Sequence, residues 1–214
     1  MICFVITGGI ASGKSNVLKC FAKQGIDTFS ADTIGHDIAN TKEAQIQIEQ
    51  AFGSGYYVDG VLQRKALGQL VFSNPSHLQS LNSIMHGLIY AEIQRIIQAS
   101  QSKPAIAIEI PLLFETNMQH IADVIVHCYT SSKTQLARVM KRDGLSLAQA
   151  QQRIQAQMPT EQKMSLSHYN INTECSFAET EQSVKQILQK YEVLYASRAK
   201  TPASKSAPHR ANSQ

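Results

Sequence analysis

The chain has 214 residues, 43% of them hydrophobic and 17% charged, which suits one domain with an inserted lobe and excludes wholesale disorder. Its net charge of +4 hints at a polyanion partner, but the excess sits in the segment 196–214, where Arg198, Lys200, Lys205 and Arg210 meet no acid; the body is near neutral, so no nucleic-acid partner is expected. The first apolar run is too short for a bilayer and has no basic leader, and Cys3, Cys20, Cys128 and Cys175 form no C-x-x-C, so the expectation is a cytoplasmic protein with reduced thiols and no membrane partner.

Taken in order, the chain alternates strand-like and helix-like segments. Ile2 to Thr7 is an apolar strand. Gly8-Gly9-Ile10-Ala11-Ser12-Gly13-Lys14-Ser15 follows, a complete G-x-x-x-x-G-K-[ST] loop, and a helix runs from about Ser15 to Gln24, stopped by Gly25. Ile26 to Ser30 reads as a second strand. From Ile34 to Phe52 the pattern is helical, and Gly53, Gly55 and Gly60 mark turns around Tyr56-Tyr57-Val58. From Leu62 to Ala99 it is helical again, broken at Asn74-Pro75, with an apolar stripe of Leu78, Leu81, Ile84, Met85, Leu88, Ile89, Ile93 and Ile97. That stretch predicts a helical lobe set against the sheet. Ala105 to Pro111 and Val124 to Tyr129 are buried-type strands. Helices are expected over Lys133 to Arg142, Leu147 to Gln157 and about Glu179 to Tyr195. The segment 196–214, rich in Ser, Ala and Pro, is expected to be a disordered basic tail. Alternation of this kind implies an α/β fold with a parallel sheet covered on both faces.

The loop carries the chemistry. Its glycines let the backbone close on an anion, its N–H groups and the following helix N-terminus point at phosphate oxygens, Lys14 supplies a point charge, and Ser15 offers a hydroxyl to Mg²⁺. The bland alternative is a Gly-rich βα turn without a ligand, but strand, loop and helix come in the order the motif requires. Asp32 follows the second strand and so belongs at the carboxyl edge of the sheet. There it either takes a proton from an attacking hydroxyl or holds Mg²⁺ through water; the alternative is an N-cap for the helix near Ile34. Glu109 ends an apolar strand, where an acid needs a metal, a substrate or a structural Arg partner. Arg138 and Arg142 share one helix face, and Arg153 and Gln157 repeat that spacing. They read either as a cationic lid over a triphosphate or as solvated charged faces. Alone, His86 in its apolar stripe would be a satisfied core residue and Arg64 at the head of the lobe a surface charge. No zinc pattern appears among the seven His.

These motifs, in order, resemble the dephospho-CoA kinase family over about Ile2 to Tyr195. The resemblance is carried by Ile6 to Ser15; Ala31-Asp32; Leu62-x-Arg64-x-x-Leu67 with Val71-Phe72; Ile84-x-His86; Pro111-Leu112-Leu113-Phe114-Glu115; Gln135-Leu136-x-Arg138-x-x-x-Arg142-Asp143; and Arg153-Ile154-x-x-Gln157. It implies a P-loop kinase with one domain over 1–195: a core (1–61 and 104–195) including a helical lid (about 136–160), and a substrate lobe (about 62–100). It implies transfer of the ATP γ-phosphoryl to the 3′-hydroxyl of dephospho-CoA, the last step of coenzyme A synthesis. ATP would be held by Gly9, Ile10, Ala11, Ser12, Gly13, Lys14, Ser15 and Asn16, with Arg138 and Arg142 from the lid. The acceptor would be held by Asp32, Arg64, His86, Glu109, Leu113 and Arg153, with Asp32 as base. Lys14, Asp32 and Arg138 would be catalytic, and Mg²⁺ would sit on Ser15 with water-mediated help from Asp32 or Glu109.

The chain departs from the family pattern at Ala11, Ser30, His36 and Gly87, and in Ser167-His168-Tyr169-Asn170-Ile171-Asn172-Thr173. The rival readings are another small-molecule P-loop kinase, of nucleoside, nucleotide or shikimate type, and a nucleotide- or CoA-binding homologue without turnover. Either a monomer or a small homo-oligomer is compatible with the sequence.

Overall fold

β1 (Ile2–Gly8) lies at the centre of a five-stranded sheet in the computed structural model, which describes residues 1–193. The end of the last expected helix and the basic tail lie outside the described residues. The other strands of the sheet are β2 (Asp27–Ser30), β5 (Ala105–Glu109), β6 (Val124–Tyr129) and β7 (Tyr169–Asn172). Their order is β2-β5-β1-β6-β7 and every pairing is parallel. β1 feeds both faces. Phe4 and Ile6 join the cluster under α1 (Lys14–Lys23) and α9 (Phe177–Lys190), while Cys3 and Val5 join the cluster on the opposite face. A strand buried on both sides has to be apolar throughout, which is why Ile2 to Ile6 shows no alternation.

The helical stretch after β2 is two helices, α2 (Ala31–Ile38) and α3 (Lys42–Phe52). Thr41 divides them: its side chain accepts a hydrogen bond from the Ala44 N–H and starts the second helix. The Gly-rich turns form a hairpin of β3 (Tyr57–Val58) and β4 (Val61–Leu62), paired antiparallel. The expected lobe contains α4 (Arg64–Phe72) and α5 (Pro75–Ala99); Asn74 caps α5, with Pro75 in its first turn.

α5 is two-faced along its length. Leu78, Leu81, Ile84 and Met85 pack around Ile48, Leu67 and Val71. Ile89, Ile93, Ile96 and Ile97 pack with Val5, Ile106 and Ile108 of the sheet. One 25-residue rod thus belongs to the lobe at one end and to the core at the other.

α6 (Ser132–Asp143) and α7 (Leu147–Gln155) pack against each other across the turn at Gly144, whose φ of 65° closes α6. Among the elements unread in the sequence are the short α8 (Thr160–Ser165) and β7, an edge strand whose polar Asn170 and Asn172 mask its type. Among the described residues no helix is long and apolar enough to cross a membrane.

Candidate functional site

The loop between β1 and α1 opens at the carboxyl edge of the sheet, where ligands of open α/β sheets bind. Two glycines are required by geometry. Gly13 sits at φ 84° as the N-cap of α1, and a Cβ there would come 2.8 Å from Thr173 Oγ1. A Cβ at Gly8, φ 149°, would run into the carbonyl oxygen of Cys128. Ala11 holds φ 56° without being glycine, at a cost of about 1 kcal/mol.

Lys14 is buried, and its Nζ donates to the carbonyl oxygens of Gly8 at 3.2 Å and Gly9 at 2.9 Å. Burial pulls its pKa below the ordinary lysine value, with the Glu109 carboxylate opposing the fall. Glu109 ends β5 beside Ile6 of β1 and Ser30 of β2. It accepts from Ser15 Oγ at 3.3 Å. Burial raises its pKa above the usual carboxylate range, and Lys14 and Ser15 pull the other way.

Asp32 lies in the first turn of α2, whose N-cap is Ser30. The N-cap alternative for Asp32 therefore does not hold, and its carboxylate remains open to the cleft. Arg138, on α6, donates to Ala11 O at 3.5 Å, to Thr173 Oγ1 at 3.3 Å and to Thr173 O at 3.0 Å. Thr173 Oγ1 in turn donates to Ser12 O at 2.8 Å, so the residue that departs from the family pattern still joins the loop to Arg138.

A cavity of about 760 Å³ gathers Ile10 to Asn16, Asp32, Glu109, Arg138 and Arg142, together with Pro111, Lys141 and Gln157. Four cations and two carboxylates around one space suit a polyphosphate carrying a divalent metal. The expected residues outside that cavity are Gly9, Arg64, His86, Leu113 and Arg153. His86 lines a smaller neighbouring pocket with Asp32, Ile89, Leu112 and Met118. Arg64 donates to His36 O at 3.0 Å and lines a separate cavity of about 560 Å³ beside Asn40 and Lys65. Leu113 has no exposed surface and packs in the core. Arg153 donates to Asp143 Oδ2 at 3.0 Å, beside the Arg142–Asp143 pair, so it ties α7 to α6.

Sequence reasoning assigned no contact to Gln135, Gln157 or Lys163. Lys163 has no exposed surface and sets Nζ 2.7 Å from Glu115 Oε1, within ion-pair range though off the hydrogen-bonding direction. Burial alone would push Glu115 up; Lys163 and the Met158 N–H outweigh it and hold the carboxyl below its usual range. His127, also buried, has its pKa lowered to about 4 by burial, against a raising hydrogen bond with Asn170. None of these groups carries a local signal, because each partner is far away in sequence.

The dephospho-CoA kinase family model matches residues 2–179. A dephospho-CoA kinase of Carboxydothermus hydrogenoformans is 38% identical over 190 residues, covering 87% of this chain and 92% of that protein. One from Hydrogenovibrio crunogenus is 33% identical over 190 residues, covering 87% and 96%. Among solved structures, the dephospho-CoA kinase from Campylobacter jejuni superposes with a TM-score of 0.68 at 27% identity, covering 88% of this chain and 96% of that one.

Proposed function

The chain belongs to the dephospho-CoA kinase family and transfers the γ-phosphoryl group of ATP to the 3′-hydroxyl of dephospho-CoA; from that premise we propose how its residues divide the work. The observation that carries the assignment is that Lys14, Ser15, Asp32, Glu109 and Arg138 line one cavity at the carboxyl edge of the sheet.

Phosphoryl transfer asks the protein for in-line placement and charge neutralisation. The loop N–H groups and the α1 N-terminus hold the β- and γ-phosphates. Lys14 exchanges its two carbonyl partners for phosphate oxygens. Arg138, Lys141 and Arg142 face the triphosphate from the lid. Asp32 orients the 3′-hydroxyl and takes its proton as the oxygen bonds to the γ-phosphorus and the bond to the β-phosphate oxygen breaks, leaving ADP. His86, with Ile89, Leu112 and Met118, faces the acceptor nucleoside beside Asp32. Arg64 serves a more distant part of the acceptor from the lobe. Arg153 acts by bracing the lid through Asp143, and Leu113 by supporting Met118 from within the core.

The residues present fit Mg²⁺. The Ser15 hydroxyl and the Glu109 carboxylate already share a hydrogen bond, and Asp32 lines the same cavity, a hard-oxygen set of the kind that completes its shell with waters and phosphate oxygens. When bound, Mg²⁺ neutralises the phosphates it touches. We assign the core, the lobe of about 62–100, the lid of about 136–160 and a cytoplasmic location to the same reading.

An ADP-release assay with dephospho-CoA, AMP and shikimate as acceptors, with and without Mg²⁺, tests it. ADP release with dephospho-CoA alone, abolished by EDTA, is the expected result. Equal turnover with AMP or shikimate, or nucleotide binding without turnover, contradicts it.

A further inference from the structure

One residue of the phosphate loop, Ile10, is held by the lid segment through both of its backbone polar groups. The Ile10 N–H donates to Gln157 Oε1 at 2.6 Å, and Ile10 O accepts from Gln135 Nε2 at 2.9 Å. Gln135 lies buried in the first turns of α6, and Gln157 follows the end of α7. The two amides therefore sit at the two roots of the helix pair that covers the cavity. Their roles are fixed by chemistry: a backbone N–H only donates and a carbonyl only accepts, so Gln157 has to present oxygen and Gln135 nitrogen.

Gly9 makes room for this clasp. A Cβ there would lie 2.7 Å from Gln135 Nε2 and 3.6 Å from Gln157 Oε1. Gly9 is not among the residues with positive φ, so alanine is compatible with its backbone. What glycine supplies at this position is space for Gln135.

We propose that Gln135 and Gln157 are positioning residues that clasp the two peptide groups flanking the Ile10 Cα and so couple the shape of the phosphate loop to the two roots of the lid. The inference rests on the nucleotide-site reading above. Losing either glutamine leaves a partly buried N–H or C=O of Ile10 without a partner, and the loop relaxes away from the geometry that phosphates require. The consequence falls on the nucleotide and not on the acceptor.

Two measurements test this. In the nucleotide-free protein, amide exchange at Ile10 reads the Gln157 bond directly. Gln157→Met should lose the protection and Gln157→Glu should keep it, because a carboxylate still accepts from the N–H. In steady state, Gln135→Met and Gln157→Met should each raise the KM for ATP and the Kd for ADP about tenfold, with the KM for dephospho-CoA within about twofold. Gly9→Ala should match Gln135→Met and add nothing to it, since both undo the same bond. Gln135→Glu should behave as Gln135→Met, because a carboxylate cannot donate to Ile10 O.

Thermal melts identify any variant that has merely lost stability, and ADP affinity of the folded protein is read without the acceptor. Unchanged ADP affinity in both methionine variants overturns the proposal. So do multiplying effects of Gly9→Ala and Gln135→Met, or equal loss of Ile10 protection in Gln157→Met and Gln157→Glu. Failure of the wild type to phosphorylate dephospho-CoA would instead strike the parent reading.

Discussion

Around the phosphate loop, side chains reach the backbone across more than a hundred residues of sequence: Gln135 and Gln157 to Ile10, Arg138 to Ala11, Thr173 to Ser12. The lobe from Arg64 to Ala99 is held differently, by Ile48, Leu67 and Val71 with Phe52, Leu78, Leu81 and Ile84 packed around them. Hydrogen bonds are directional and fix atoms to fractions of an ångström, which an anion cradle needs before its ligand arrives. Apolar contacts are non-directional, so the lobe is held by packing and not by fixed atom-to-atom bonds. The contrast is one of packing; on the reading proposed above it also divides grip on the nucleotide at the sheet edge from selection of the acceptor in the lobe.

That separation is most exposed to substitutions in the cradle. Lys14→Ala and Asp32→Asn should each lower kcat by at least about a hundredfold while the fold persists, measured by steady-state kinetics beside circular dichroism. Near-normal turnover in Asp32→Asn would remove the base assignment. In the lobe, Leu67→Ala should cost about 3 kcal/mol of stability by urea unfolding. It should leave the ADP affinity of the folded protein unchanged; a parallel loss of ADP binding would mean that the two regions are not separable.

Acid should act on the cradle side. His127, buried on β6 next to Thr7 of β1, has a folded pKa of about 4 against 6.5 when unperturbed. Between those values the unfolded chain binds the proton more readily, so the His127 contribution is complete above pH 6.5 and is lost as pH falls toward 4, by about 3 kcal/mol in all. Urea melts from pH 7 to 4 should show that much less pH dependence in His127→Gln; an unchanged slope contradicts the burial argument.

The smallest effects form a pair with opposite substitutions. Ala11→Gly relieves a left-handed alanine in the cradle. Gly87→Ala fills an exposed site on α5 where a Cβ meets nothing within 4 Å. Each should stabilise by about 1 kcal/mol, seen as a rise in Tm.

The strand-loop-helix unit was legible because every position in Gly8 to Ser15 has a local geometric or chemical reason. α5 was legible because the stripe from Leu78 to Ile97 keeps helical period without interruption after the break at Asn74-Pro75. Thr41 was not, since its cap lies inside a continuous helical pattern. β7 was hidden by two asparagines on an edge strand. Among site residues, Asp32 and Glu109 could be placed from strand ends alone. Leu113 lies in the core with no exposed surface, a placement that an apolar run does not reveal. Arg153 found Asp143, and Gln135 and Gln157 found Ile10, only through tertiary approach. Uncharged amides leave no trace in charge or hydropathy patterns.

The central claim is that the amino-terminal loop is built to hold the inner and terminal phosphates of the nucleotide. Calorimetric titration of the wild-type protein with ATP, ADP and AMP in the presence of Mg²⁺ tests it most directly. The account predicts that ATP and ADP bind with similar strength and that AMP, lacking the β-phosphate, binds at least about a hundredfold more weakly. AMP binding as tightly as ATP would contradict it.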